Sequence, residues 1–167
     1  MLGDIAARLF IIPAATLQPG LEAALSILLR RHPALFDRLG EHRAKSFAFL
    51  PNGSPLAFLV RPALSSITLT RPAAARRADV VIGGDLVLLL ALLEGRIDGD
   101  SIFFSRDLSV AGDMEAVVAL RNSLDDCGID LPEDLSSLAG PFSRLFAELG
   151  RRIRKMALAG VGVQPWS

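Results

Sequence analysis

The chain is poor in cysteine and carries no net charge. One cysteine among 167 residues excludes an internal disulfide, which is typical of a protein in a reducing compartment. Lys plus Arg and Asp plus Glu each number 18, so there is no excess of positive charge to attract nucleic acid. We therefore expect neither a disulfide-stabilised scaffold nor a nucleic-acid partner.

Long apolar runs are also missing, although 51% of the residues are hydrophobic and the mean hydropathy is +0.42. A membrane-spanning helix needs about 20 consecutive apolar residues, whereas the longest run, Leu86–Leu93, stops at Glu94. The apolar run at 9–12 is too short for the core of a signal peptide. We expect a cytoplasmic protein whose excess of apolar residues fills a large core or lines a cavity.

Catalytic, metal-binding and phosphate-binding motifs are absent as well. His32 and His42 have no Cys or carboxylate at ligand spacing, so we expect solvated surface histidines rather than a zinc site. Cys127 follows Asp125 and Asp126, whose charges oppose thiolate formation. No nucleophile elbow, complete calcium loop or full phosphate-binding glycine pattern occurs. The sequence therefore predicts no catalytic residue, no metal and no cofactor.

The spacing of apolar residues changes along the chain between that of helices and that of strands. Leucines at helical spacing predict a first helix over 21–31, starting after Pro19 and Gly20. Helical spacing returns over 86–93, from 114 and again from 130. Five segments between them have the alternation or short apolar runs of strands: 47–49, 56–61, 66–70, 79–82 and 108–110. This order predicts an α+β fold with helices packed on a mainly antiparallel five-stranded sheet.

We divide the chain into three regions of one compact domain, with boundaries at 42 and 128. A helical extension occupies 1–42, the core 43–128, and an amphipathic helical region 129–167. The last region interleaves basic and apolar side chains, a pattern that indicates either a helix at a membrane surface or an ordinary packing helix. The predicted membrane-contact residues are Arg151, Arg152, Arg154 and Lys155. These charges leave open a peripheral location at the inner membrane.

Several motifs follow one another in a fixed order through the middle of the chain. They are Ala78-Asp79-Val80, Asp85-Leu86, the Asp-Gly-Asp-Ser-Ile-Phe-Phe run at 98–104, and Gly112-Asp113 after an apolar strand. This ordered set resembles the sterol carrier protein type 2 family over about half of the chain. The resemblance implies a sheet and helices that enclose an apolar tunnel.

The 98–104 run and the Leu-Arg-Asn-Ser-Leu segment at 120–124 are also similar to bacterial lipid-carrier accessory factors of oxygen-independent ubiquinone biosynthesis. That resemblance implies binding of polyprenyl quinone precursors and work beside quinone-biosynthesis hydroxylases. A phospholipid ligand is the alternative within the same fold. An extended Phe103-Phe104 pair would point to opposite faces, so one ring needs a second apolar surface. The predicted lipid-binding residues are Phe47, Phe49, Phe58, Phe103, Phe104, Val110, Val117, Leu120 and Leu124.

The resulting hypothesis is a non-catalytic lipid carrier, and two alternatives stay open. The first is a non-enzymatic assembly subunit that docks a partner protein through an exposed apolar surface. The second is a domain appended to an acyl- or acetyltransferase, against which the lack of a donor-binding loop argues. An enclosed cavity would favour the carrier, and an exposed apolar patch would favour the assembly subunit.

Overall fold

A computed structural model describes residues 14–95, 108–136, 138, 140 and 151 of the chain. The described residues form helices at both ends and three successive strands near the middle, and the predicted α+β class is confirmed. The helices are α1 (Ala14–Arg31), α2 (Ala34–Asp37), α3 (Pro72–Ala75), α4 (Leu86–Leu93), α5 (Met114–Cys127) and α6 (Leu131–Asp134), with 3₁₀ turns at Gly40–Ala44 and Pro62–Leu64. The strands are β1 (Phe47–Pro51), β2 (Ala57–Arg61), β3 (Ser66–Thr70), β4 (Val80–Gly84) and β5 (Leu108–Gly112).

The five strands form one sheet in the order β3-β2-β1-β4-β5. Only β1 and β4 pair in parallel, so the sheet is mainly antiparallel as predicted. Side chains alternate along a strand and paired residues share a face. The register therefore defines an aromatic face, which carries Phe47, Phe49, Phe58, Val60 and Ile82. Helices α1, α2, α4 and α5 pack on this face and form the main core with it.

The opposite face, here called the small-residue face, carries Ala48, Ala57, Gly83, Ser109 and Ala111, together with the larger Leu59 and Val81. The short helix α3 lies on this face against β1 and β2. Ala48 and Ala57 form a second, separate cluster with Leu50 and with Ala75 of α3, and the three alanines are fully buried. Methyl side chains on both surfaces allow the helix to approach the sheet closely.

Helix α1 starts at Ala14, although the sequence predicted a start at residue 21. A proline inside a helix costs about 3 kcal/mol or more through a lost hydrogen bond and a steric clash, so Pro19 and Gly20 were read as the boundary. The Gln18 side-chain amide donates to the Ile67 carbonyl and accepts from the Leu69 amide, both at 2.8 Å. These bonds attach the first turns of α1 to β3, and such tertiary contacts offset the cost of the proline.

The Gly112-Asp113 pair, one of the motifs that resembled a family, has a physical reason at each position. Gly112 has φ +105°, and a Cβ there would lie 2.0 Å from the Asp79 carbonyl oxygen. The Asp113 side chain accepts hydrogen bonds from the Glu115 and Ala116 amides at 3.1 Å, and so caps α5. The Ala116 amide, together with the Lys45 side chain, holds the pKa of Asp113 below its usual range.

Candidate functional site

An apolar cavity of about 250 Å³ lies between the aromatic face and the helices that cover it. Every residue that lines it is apolar, and the wall includes residues of helices α1, α2, α4, α5 and α6 and of strands β1, β2 and β3. The lining residues are Leu21, Ala24, Leu25, Leu28, Leu35, Phe36, Phe47, Phe49, Phe58, Val60, Pro62, Ile67, Leu86, Leu89, Leu90, Leu93, Leu120, Leu124, Leu131 and Leu135.

The sheet side of the cavity follows from the strand register. Phe47 is paired with Val60 and Phe49 with Phe58, so these four side chains stand side by side on adjacent strands. Ile67 extends the surface to β3 because it pairs with Val60. Phe47 is fully buried, whereas Phe49 and Phe58 are only partly buried. Solvent exposure along the cavity wall therefore increases from Phe47, in the core, to Phe49 and Phe58.

Helix α4 is apolar on every side, and one side packs in the core while another lines the cavity. Leu88 and Leu92 are buried in the core, whereas Leu89, Leu90 and Leu93 line the cavity. Leu90 is 44% exposed, so the cavity wall reaches solvent at this residue. These leucines were not among the predicted lipid-binding residues. Their signal was present, because a helix with only one buried face carries polar residues on the other.

Helix α6 brings Leu131 to the cavity and is held by charged groups. The Asp134 carboxylate, only 8% exposed, lies 2.7 Å from Nε2 of His32 and 3.3 Å from the Arg31 guanidinium. The buried Glu94 side chain accepts a hydrogen bond from the Leu131 amide at 2.9 Å. These contacts tie α6 to the C-terminal ends of α1 and α4.

The expectation that His32 is a solvated surface residue is wrong, since its side chain is 16% exposed and contacts Asp134. No local sequence pattern indicates this contact, because Asp134 lies far from His32 along the chain. Burial raises the pKa of the Cys127 thiol, which keeps this cysteine protonated at neutral pH. Among the described residues, no group of three or more His, Cys, Asp or Glu side chains is placed to hold a metal ion.

The predicted lipid-binding residues divide into three groups. Phe47, Phe49, Phe58, Leu120 and Leu124 lie on the cavity wall. Val117 is buried in the main core and Val110 packs against it, but neither is part of the wall. Phe103 and Phe104 lie outside the described residues. That these side chains bind lipid stays a prediction.

The predicted membrane-contact residues are only partly described. Arg151 forms an ion pair with Glu133, which directly precedes Asp134 in α6, at 3.1 Å. Arg152, Arg154 and Lys155 lie outside the described residues, and their membrane contact stays a prediction. No helix in the described ranges is long and apolar enough to cross a membrane.

Burial of an apolar chain is the chemistry that this cavity can perform. Transfer of a methylene group from water into such an environment is favourable by about 0.8 kcal/mol. A liquid water molecule occupies about 30 Å³, and a methylene group is of similar size, so the cavity has room for part of one hydrocarbon chain. The apolar lining offers no hydrogen bond to a polar head group, which would have to lie outside the cavity.

Comparisons with known proteins agree with this architecture. The model of the SCP-2 sterol transfer family matches residues 25–125. No curated protein is similar enough in sequence to count as a match. A solved structure described as "UbiJ-SCP2 Ubiquinone synthesis protein" is similar to this chain with a TM-score of 0.56 and 20% identity, covering 71% of this chain and 97% of its own.

Two other solved structures are similar at lower scores. Sterol carrier protein 2 from Yarrowia lipolytica in its apo form has a TM-score of 0.47 and 12% identity, over 71% of this chain and 97% of its own. The sterol carrier protein domain 2 of Helicoverpa armigera has a TM-score of 0.47 and 13% identity, over 68% and 91%. The family match covers more than half of the residues and confirms the predicted family. This chain belongs to the SCP-2 sterol transfer family.

Proposed function

We propose that this protein is a non-catalytic carrier that holds the hydrocarbon tail of a lipid in its cavity, and that the lipid is an isoprenoid quinone precursor. The cavity of about 250 Å³ with its wholly apolar lining is the observation that carries the proposal. Binding of this kind needs only the exclusion of water and close packing, and no catalytic side chain.

The quinone assignment is the finer part of the proposal. It is supported by the similarity in fold to a structure named as a ubiquinone synthesis protein, and by the sequence motifs at 98–104 and 120–124. An isoprenoid tail suits the cavity because its branched carbons pack against leucine and phenylalanine side chains. The quinone-biosynthesis hydroxylases are the proposed recipients or users of the bound precursor.

An assembly subunit that docks a partner protein is the second candidate function. Met114 and Val118 are one helical turn apart on α5 and are each 55% exposed. They form a small exposed apolar patch on the side of α5 away from the core. This patch is separate from the cavity, since neither residue lines it.

Mass spectrometry of organic extracts from the purified, detergent-free protein tests the proposal. A polyprenyl phenol or quinone at one molecule per chain supports both the carrier role and the quinone assignment. Bound phospholipid keeps the carrier role and overturns the quinone assignment. No bound lipid, together with no uptake of offered quinone, overturns the carrier and leaves the docking subunit.

A variant that fills the cavity sharpens this test. Ala24 of α1 lines the cavity, and the bulky ring in Ala24→Trp would occupy the space that a tail needs. We expect lipid loading to fall more than fivefold while circular dichroism stays unchanged. Ser26→Trp is the matched control, because Ser26 is exposed on the same helix. Equal loading of the two folded variants would contradict the assignment of the tail to this cavity.

A further inference from the structure

Positive charge is concentrated in one stretch of this electrically neutral chain. No Asp or Glu occurs between Glu41 and Asp79. The same stretch contains several basic residues, namely Arg43, Lys45, Arg61, Arg71, Arg76 and Arg77. The overall balance of 18 basic and 18 acidic residues therefore conceals a strong local excess of positive charge.

Two of these basic side chains are neutralised in the fold. Arg43 forms an ion pair with Asp37 at 2.6 Å, and Lys45 forms one with Asp113 at 3.2 Å. The remaining four, Arg61, Arg71, Arg76 and Arg77, are exposed, and within the described ranges none has an ion pair or a side-chain hydrogen bond.

The four free arginines lie on or beside the small-residue face of the sheet, with Arg61 and Arg71 near opposite ends of the β2–β3 pair. Arg61 shares the small-residue face with Ala57, because the two are separated by an even number of positions in β2. Arg71 and Arg76 flank α3, which packs on that face through Ala75, and Arg77 follows directly. The nearest acid, Asp79, accepts hydrogen bonds from the Ser46 amide and hydroxyl at 2.8 and 2.7 Å, so its carboxylate is already bound.

An exposed leucine borders this charge. Leu64 is 71% exposed, the largest exposure among the large hydrophobic side chains of the described residues. It ends the 3₁₀ turn that follows Arg61, and the next residue, Ser65, has a left-handed backbone with φ 47°. Pro62 of the same turn is buried and lines the cavity. The turn therefore connects the basic side of the molecule to the cavity wall.

We propose that the arginine surface, formed by Arg61, Leu64, Arg71, Arg76 and Arg77, docks onto an anionic phospholipid membrane. The arginines would lie among the phosphate groups, and Leu64 would enter the apolar boundary beneath them. Mobile lipid head groups suit charges that are spread over a sheet face. A stable protein interface instead needs roughly 800 Å² per partner with few charges at its centre.

Docking in this orientation would leave the sheet between the bilayer and the cavity, with the Pro62–Leu64 turn at the edge that joins them. The membrane contact proposed from the sequence lay instead in the C-terminal cluster. The new surface needs neither that cluster nor a particular cavity ligand. Its failure would leave the carrier proposal intact, because lipid loading is measured separately.

Co-sedimentation of the full chain with vesicles tests the proposal. We expect binding to phosphatidylcholine vesicles that contain phosphatidylglycerol, and weak binding to phosphatidylcholine alone. Each arginine near an anionic surface contributes about fivefold to the partition coefficient. The double variant Arg76→Gln/Arg77→Gln should therefore lose about 25-fold. Added salt should weaken the binding of the unaltered protein.

The matched control is Arg30→Gln/Arg38→Gln, which removes the same net charge from the helical segment that precedes β1. Both of its arginines are exposed, and Arg38 forms an ion pair with Asp126. The screening length of about 8 Å at physiological salt limits their effect at a distance, so the control should lose less than about threefold. Equal losses in the two double variants would show a response to net charge alone and would overturn the proposal.

Leu64→Trp in a Trp166→Phe background reports insertion directly. We expect its fluorescence to shift to the blue with vesicles that contain phosphatidylglycerol. The proposal is overturned if no shift occurs, if the unaltered protein shows no preference for anionic vesicles, or if the surface captures an acidic protein without that preference. Mass spectrometry of Arg76→Gln/Arg77→Gln should show unchanged lipid loading, since none of the arginines lines the cavity.

Discussion

The two faces of the sheet are made by the same strands but are packed differently: one borders a cavity, and the other carries a short helix in close contact. On the aromatic face, Phe47, Phe49 and Phe58 hold the helices away from the strands, and a space of about 250 Å³ remains between the side chains. On the small-residue face, Ala48 and Ala57 are fully buried beneath a single turn of helix. Room for a ligand here comes from large side chains that do not fully interdigitate. Small side chains instead allow close packing.

Truncation of Phe47 should have the largest effect, because this ring belongs to both the core and the cavity wall. We expect Phe47→Ala to lower the free energy of unfolding by about 3–5 kcal/mol. The partly buried Phe49 should cost less, about 1–2 kcal/mol in Phe49→Ala, because its ring already borders open space. Urea denaturation of both variants measures the difference. If both variants lost the same free energy of unfolding, Phe49 would be as much a part of the core as Phe47.

Enlargement of a side chain should separate the two faces most clearly. Ala57→Leu adds bulk beneath α3, where Ala57 is fully buried against Ala75, and should destabilise the protein by about 1–3 kcal/mol. Ala24→Leu adds the same atoms facing the cavity and should change the free energy of unfolding by less than about 1 kcal/mol. The two variants can be compared by urea denaturation. A penalty at Ala24 as large as that at Ala57 would mean that the cavity is not open space.

The smallest expected effect concerns the junction of the parallel strands β1 and β4, which contribute to both faces. The Ser46 amide and hydroxyl lower the pKa of Asp79 in the folded protein. The folded state therefore binds fewer protons near pH 4 than the unfolded chain does. The resulting stability is present above the unfolded pKa of about 4, and it is lost as the pH falls through the lower folded pKa.

Ser46→Ala removes the hydroxyl and part of that shift. We expect the stability difference between the variant and the unaltered protein to shrink as the pH falls below about 4. Urea denaturation across a pH series measures it. Ser54→Ala is the control, because the Ser54 hydroxyl bonds only to the Leu56 backbone and its effect should not depend on pH. A Ser46→Ala difference that stays constant with pH would contradict this assignment.

Much of the fold follows from local sequence pattern. All five strands lie where alternation or short apolar runs predicted them, because successive side chains of a strand point to opposite faces of the sheet. The parallel pairing of β1 with β4 has no local signal, since it joins strands far apart in the chain. The start of α1 was mispredicted for a similar reason. Pro19 is visible in the local sequence as a helix boundary. The hydrogen bonds from Gln18 to β3, which offset its cost, are long-range contacts with no local signal.

The sequence predicted an apolar cavity and some of the residues that line it, but not the complete lining. The phenylalanines of β1 and β2 and two leucines of α5 were placed on the wall because their period put them on the covered face. Val117 belongs to the same apolar stripe of α5 but packs in the core. The spacing of apolar residues predicts which side of a helix is buried, but not whether that side faces the core or the cavity. The leucines of α4 were missed because both sides of that helix are apolar. The division of the chain at 42 and 128 stays a prediction.

Gln18 has a consequence for association between copies of the chain. Its amide offers one donor and one acceptor to β3, the same pair of groups that a peptide unit of a sixth strand would offer. Docked α1 thus substitutes for a neighbouring strand at the edge of the sheet. Detachment of α1 would remove part of the cavity wall and expose the β3 edge in one event. Conditions that open the binding site from this side would therefore also promote intermolecular β-pairing and aggregation.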